Sequence, residues 1–336
     1  MKTRWFWILG FAASLALAGT AWAGEKKEPG KKEPEKKAAP DDPALTGEEV
    51  TEQTEFEKIL FTEYRKRRSA HFMFETSFDA DACKEYTAFL ELSYRDLLKW
   101  AGKPADTDLW GTRAHIALIH NKAEWECLMT HRTRGRPPNE VEAIKNAGGT
   151  WVGSPPESIE YSHEGMNPEA DKLQIFHSLN HLFLHGLAGS GHDGQLPWLW
   201  EAFSWHRSIE VFGSRGGSCF AFETVAKGAE DRAWNDIDDW VDLLKRDVRA
   251  KQDEDFILFW HKNIMAIQTK TYVKGWAIIR YFTRDEKEKA KFVNFLSLLK
   301  TKNDQARALK EVYNVSPEDV DKAWREWIRL QPKRWR

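Results

Sequence analysis

Two histidines and a glutamate in the middle of the chain have the residue types and spacing of a metal site. His177 and His181 are four residues apart, and residues at that spacing share one face of a helix, so both imidazoles can point at one ion. Glu201 follows 20 residues after His181, beyond a glycine-containing segment that lets the chain reverse. Zinc binds imidazole and carboxylate groups, and a catalytic zinc typically keeps three protein ligands and a water. The pattern therefore predicts a zinc site formed by His177, His181 and Glu201.

An interpretation without a metal stays open for the same three residues. The chain contains 11 histidines, so a single His-x-x-x-His pair is no more than a hypothesis. A pair of this kind on an apolar helix is often a pair of core histidines, and Glu201 could interact with the dipole at the start of its helix. A buried carboxylate in so aromatic a segment is costly, however, and a metal would offset that cost. The metal site is the favoured interpretation.

Ser178 occupies the position that decides whether such a site could hydrolyse a bond. In the motif His-Glu-x-x-His, the glutamate at this position takes a proton from the attacking water and returns it to the leaving amine. A serine hydroxyl is not a base near neutral pH, although activation of water by the metal would survive the change. Loss of general acid–base help lowers a rate by roughly 10²–10⁴.

The motif and its surroundings resemble the gluzincin zinc peptidases, most closely the peptidase-MA-like group of exported bacterial proteins. That group has a His-Glu-x-x-His helix followed by a segment like WLxEGxAxYxE, where this chain has HSLNH at 177–181 and WLWEAFSW at 198–205. Weaker similarity around His71, 272–276 and 323–327 extends the resemblance over most of 70–330. The resemblance implies a gluzincin-like fold with His177, His181 and Glu201 as zinc ligands. Two positions depart from it, since Ser178 replaces the glutamate and Ala202 replaces a glycine.

These observations predict an exported metallopeptidase-like domain that binds zinc but has little or no peptidase activity. Such a domain could bind a peptide or protein or have a structural role. Two alternatives remain. One is an active zinc-dependent hydrolase with a substitute base, and the other is a metal-free structural or protein-binding domain.

Four further residues are candidates for a role in catalysis. Glu164, His185 and Asp193 could act as the substitute base if the fold brings them to the site, although His185 is better explained as a buried core residue. Tyr272 could stabilise an oxyanion, but it could equally be a packing aromatic.

The N-terminus and the composition predict an exported protein. Residues 1–23 have the basic start, the apolar core and the Ala-x-Ala end of a signal peptide, and the apolar run is too short to span a bilayer comfortably. Residues 24–43 are rich in Lys, Glu and Pro and predict a disordered linker. The remaining chain, with 17 tryptophans in the protein, can form a large core. A net charge of −2 argues against nucleic-acid binding.

Hydrophobic periodicity predicts an α+β fold with an N-terminal α/β part over 44–170 and metal-site helices with a helical C-terminal part over 171–336. The segment 134–149 is predicted to be a loop, and 231–330 is predicted to be mostly helical. The predicted strands are 70–76, 114–119, 150–152 and 158–161, and the other predicted helices are 49–68, 79–100, 122–131, 171–187 and 198–212.

The chain has three cysteines, and an exported protein can form disulfides. The sequence favours Cys83–Cys127 as the pair, with Cys219 left over, although spacing alone does not establish it.

Overall fold

The structure is a computed structural model that describes residues 42–145, 148–162, 167–189, 197–216, 234, 236–260, 262, 268–302 and 304–333. The predicted signal peptide and almost all of the predicted linker lie outside these residues. At the start of the described residues, the Asp42 side chain caps the first helix. Among the described helices, none combines the length and the apolar character needed to cross a bilayer.

One six-stranded sheet forms the N-terminal part, in the order β1-β2-β3-β4-β6-β5. Strands β3, β4 and β6 run parallel to one another. Strand β2 pairs antiparallel with both β1 and β3, and β5 pairs antiparallel with β6. The strands are β1 (Glu48–Glu49), β2 (Arg65–Arg68), β3 (Phe72–Thr76), β4 (Ala114–Ile119), β5 (Gly149–Gly153) and β6 (Pro156–Tyr161).

Helices surround this sheet and make up the rest of the described chain, which confirms the predicted α+β class. The helices are α1 (Pro43–Thr46), α2 (Glu55–Leu60), α3 (Ala80–Trp100), α4 (Lys122–Arg132), α5 (Pro138–Lys145), α6 (Pro168–Ala188), α7 (Pro197–Phe212), α8 (Trp240–Ala250), α9 (Phe256–Trp260), α10 (Thr269–Phe282), α11 (Glu286–Lys302), α12 (Gln305–Tyr313) and α13 (Pro317–Leu330).

The central strand β4 separates two hydrophobic cores, because successive side chains of a strand point to opposite faces. Ile116 and Leu118 belong to the large core formed with α3, α6 and α7. Ala117 and Ile119 belong to a smaller core formed with α2, α4 and α5. The large core continues through the C-terminal helices as far as Ile328, so the predicted N-terminal and C-terminal parts share one interior.

Most predicted elements match the structure within a few residues, and two predictions are wrong. The predicted helix 49–68 is only the short α2, which starts at the capping box of Thr54 and Glu57 and ends at Phe61, whose φ is 54°. The chain then returns as strand β2, because Arg65–Arg68 pairs with β3. The predicted loop 134–149 contains α5, since proline suits the first turn of a helix and Ile144 packs into the smaller core.

The predicted disulfide between Cys83 and Cys127 does not form, and both are free thiols. Cys83 lies on α3 in the large core. Cys127 is exposed on α4, whose residue Leu128 packs into the smaller core. The sheet therefore lies between the two helices that carry these cysteines. Cys219 lies outside the described residues.

Candidate metal centre

Helix α6 carries the two histidines through the middle of the protein. Its start is fixed by Asn167, whose side chain accepts a hydrogen bond from the Ala170 amide, and by a proline in the first turn. Its end is fixed by Gly189, which has a φ of 78° and donates its amide to the carbonyl of His185. Between these ends the helix is buried on nearly every side, because it carries apolar residues all around its circumference.

Helix α7 presents Glu201 to α6 and is held against it by a direct hydrogen bond. The Ser204 hydroxyl donates to the backbone carbonyl of His177 at 2.9 Å. On the other side of α7, a Cβ on Gly275 would lie 3.0 Å from the Cβ of Ala202 and 3.3 Å from the ring of Trp198. Helix α10 therefore needs glycine at 275 to approach α7 this closely.

The side chains of His177, His181 and Glu201 converge on one point in the interior. Their potential ligand atoms all lie within 4.8 Å of one another. The two Nε2 atoms are 3.0 Å apart, and Glu201 Oε2 lies 3.5 Å from that of His177 and 3.6 Å from that of His181. A tetrahedral zinc with bonds of about 2.0–2.1 Å separates its ligand atoms by about 3.3 Å. The three observed distances bracket that value, so these residues fit one zinc ion.

All three side chains are buried, with relative exposures of 4% for His177, 1% for His181 and 0% for Glu201. Burial and the charge of His177 lower the pKa of His181, Glu201 opposes the shift, and the result is a pKa of about 3. His181 is consequently neutral at physiological pH, which is the form that binds a metal. Trp151 of β5 stacks on its ring, with centroids 5.2 Å apart and planes 6° from parallel.

Ser178 lies beside a carboxylate that the sequence did not predict as part of the site. Glu160 of β6 accepts hydrogen bonds from the side chains of Ser158 and Gln174, and the nearby Ser178 hydroxyl and the charge of His177 also act to lower its pKa. Ser158 Oγ is 2.5 Å from its Oε1, and Gln174 Nε2 is 3.0 Å from its Oε2. Glu160 is 1% exposed, and this burial raises its pKa to about 7 even though these neighbouring groups oppose the shift.

Gly149 makes room for this carboxylate within the sheet. It is the direct partner of Glu160 in the pairing of β5 with β6. A Cβ at Gly149 would lie 2.0 Å from Oε2 of Glu160, a distance that no real contact of this kind reaches. The Glu160 side chain therefore occupies space that any other residue at 149 would fill.

The sequence contained one signal for Glu160. Ser158-Ile159-Glu160-Tyr161 alternates polar with apolar residues. Ile159 and Tyr161 face the smaller core, so Ser158 and Glu160 face α6. A strand that is buried on both faces normally has apolar residues on both of them. A glutamate on that inner face is a candidate functional residue.

The other predicted catalytic candidates lie in different surroundings. Tyr272 is buried on α10, and its ring meets Trp205 edge-on at 5.7 Å. His185 lies one turn beyond His181 against β5, and a Cβ on Gly153 would lie 2.2 Å from its ring. Burial and the nearby charge of Lys300 together lower the pKa of His185 to about 4. Glu164 and Asp193 lie outside the described residues.

No protein-family model matches the chain, and no curated protein is significantly similar to it.

Proposed function

We propose that this protein is an exported, gluzincin-like zinc-binding protein whose metal site is formed by His177, His181 and Glu201. The observation that carries the proposal is the convergence of two Nε2 atoms and one carboxylate oxygen at 3.0, 3.5 and 3.6 Å. Two imidazoles and a carboxylate are the ligands of one common class of catalytic zinc site, in which a fourth position stays open.

The balance of charge supports a divalent cation at this place. Glu201 and Glu160 are two buried carboxylates close to histidines, of which His181 is held neutral. Burial of an ion without compensation is very costly, so buried carboxylates are paired or bind metals. A zinc ion would supply two positive charges against these two carboxylates.

An extended peptide is the ligand class that the surroundings favour. Strand β5 lies at the edge of the sheet, and its Trp151 is stacked directly on His181. An edge strand can pair with an extended peptide through backbone hydrogen bonds. A peptide bound along β5 would therefore run close to the metal site.

We expect any peptide hydrolysis at this site to be slow. A metal in the site would activate a water molecule, but Ser178 cannot serve as the general base. The absent glutamate corresponds to roughly 10²–10⁴ in rate. A second candidate function, hydrolysis with a substitute base, is favoured by the carboxylate of Glu160 next to Ser178.

Zinc content tests the proposal directly. Purified protein is loaded with zinc, desalted and analysed for metal beside a His177→Ala/His181→Ala variant, with His120→Ala/His131→Ala as a control that removes two histidines outside this cluster. We expect about one zinc in the wild type and the control and almost none in the variant, because a tetrahedral site cannot lose two ligands. Equal zinc in all three proteins, or none in any of them, would refute it.

A further inference from the structure

We propose that Trp151 is a positioning residue that couples the edge strand β5 to the zinc site. Its indole holds the ring of His181 in the orientation that zinc requires, and zinc in turn holds β5 in place. This inference rests on the metal site proposed above, and it concerns how that site and the edge of the sheet affect each other.

The first argument is the direct contact between Trp151 and a proposed metal ligand. The indole and the His181 ring are stacked, with centroids 5.2 Å apart and planes 6° from parallel. Rotation of the imidazole out of its plane would break this parallel contact, so the stack limits the directions in which Nε2 can point. Neighbours that orient a ligand in this way affect the affinity of a site for its metal.

The second argument is that Trp151 also contacts the helix that carries the third ligand. The ring of Trp200 meets the Trp151 ring edge-on, with centroids 5.2 Å apart and planes at 89°. Trp200 directly precedes Glu201 in the sequence. Trp151 is 8% exposed, and this one side chain of β5 therefore lies against both helices that form the metal site. Stacked and edge-to-face aromatic pairs attract each other beyond the effect of burial alone.

The third argument is the way in which β5 is attached to the rest of the protein. Among the described strands, β6 is its only partner, because β5 is the last strand of the sheet. Its other contacts with α6 are made through His185, whose ring lies 6.5 Å from that of Trp151 and would be 2.2 Å from a Cβ on Gly153. The position of β5 therefore depends on how its residues pack against the helix that carries both histidines.

Coupling of this kind acts in both directions. Zinc fixes the His181 ring and so stabilises the stacked position of Trp151, which orders β5. A stacked Trp151 strengthens zinc binding by the same factor, which is about 2–10 for an aromatic pair. A peptide that pairs with the edge of β5 would then bind the zinc-loaded protein more tightly than the metal-free protein, by up to that factor.

Hydrogen–deuterium exchange of residues 149–153, measured on the whole protein with and without zinc, tests this coupling. The proteins compared are wild type, Trp151→Phe, Trp151→Leu and Val152→Ala. Phenylalanine keeps an aromatic ring at 151, whereas leucine keeps an apolar side chain but removes the stack. Val152→Ala is the matched control, because it lies on the same strand and points to the opposite face of the sheet.

We expect zinc to slow exchange over 149–153 by about 2–10-fold in wild type, Trp151→Phe and Val152→Ala. Trp151→Leu should bind about one zinc per chain, as the three ligands predict, but show no such slowing. Its Kd for zinc, measured by competition with a chelator, should rise about 2–10-fold, and that of Trp151→Phe should stay near the wild-type value. The visible spectrum of the cobalt(II) protein, which depends on ligand geometry, should change in Trp151→Leu alone.

The outcomes separate the two proposals. A wild-type protein that binds no zinc refutes the metal site and this coupling together. A zinc-loaded wild type in which exchange over 149–153 is unchanged, or is slowed no more than at the other edge strand β1, refutes only the coupling. Equal slowing and an equal Kd in Trp151→Leu also refute it. If circular dichroism shows that Trp151→Leu is unfolded, the comparison of wild type with and without zinc decides the question.

Discussion

Replacement of Ser178 by glutamate recreates the His-Glu-x-x-His motif, and the structure predicts that this change alone destabilises the metal-free protein. The new carboxylate would enter the space next to Glu160, which is buried and already accepts hydrogen bonds from Ser158 and Gln174. Two unit charges about 4 Å apart repel by about 4 kcal/mol at an effective dielectric constant near 20. The three added heavy atoms contribute a further cost of about 1–3 kcal/mol in a packed interior.

The repulsion should be relieved when the carboxylate is moved rather than added. In the double variant Ser178→Glu/Glu160→Ser, the number of buried carboxylates and the total side-chain volume are both conserved. Urea unfolding with zinc removed should show a loss of about 1–3 kcal/mol for Ser178→Glu at pH 7, where Glu160, with a pKa of about 7, can take up a proton and relieve the repulsion, and a larger loss at pH 9. Most of that loss should be recovered in the double variant.

This reasoning fails if Ser178→Glu unfolds within about 1 kcal/mol of wild type, a difference typical of ordinary substitutions. It also fails if the second change restores nothing. The double variant has a consequence for activity as well. Loaded with zinc, it should hydrolyse labelled casein about 10²–10⁴ times faster than Glu160→Ser alone, because it regains a general base in the motif.

Three further predictions concern His115, Gly149 and the zinc-loaded protein. His115 lies 2.5 Å from Glu75. Burial lowers its pKa, but hydrogen bonds to Glu157 and Glu75 outweigh this effect and raise the pKa to about 9. The resulting stabilisation of the fold is fully present below about pH 6.5 and is lost as pH rises through about 9. Urea midpoints of wild type should therefore fall across this range, and those of His115→Gln should not, with the exposed His120→Gln as control. Gly149→Ala should lower the free energy of unfolding by about 1–3 kcal/mol, since its Cβ would overlap the buried carboxylate beside it, and a normal urea midpoint would contradict this close packing. Removal of zinc by a chelator should lower the melting temperature, because a ligand at 100 times its Kd adds about 2.7 kcal/mol, and an unchanged temperature would contradict binding by the folded state.

Much of the fold could be predicted from the periodicity of apolar residues along the chain. Strand β4 and helix α3 have strong apolar periodicity, and both match their predicted bounds within one residue. The prediction of one helix over 49–68 is wrong because this segment forms the short helix α2 and then strand β2. Pairing of Arg65–Arg68 with β3 is a tertiary contact, and four consecutive basic residues carry no strand signal of their own.

The convergence of His177, His181 and Glu201 could be predicted because their spacing is set by one helix and a short connection. Glu160 could not be assigned in the same way, since its proximity to Ser178 depends on how β6 packs across α6. The two residues are 18 apart in sequence and lie on different elements. The candidates that the sequence predicts, Glu164, His185 and Asp193, lie nearer the motif along the chain, whereas Glu160 comes from the sheet.

An anomalous difference map at the zinc absorption edge, from crystals of the zinc-loaded protein, tests the central claim most directly. The account predicts one strong peak about 2.0–2.2 Å from Nε2 of His177, Nε2 of His181 and a carboxylate oxygen of Glu201. A zinc peak at other residues, with no peak between these three side chains, would contradict it.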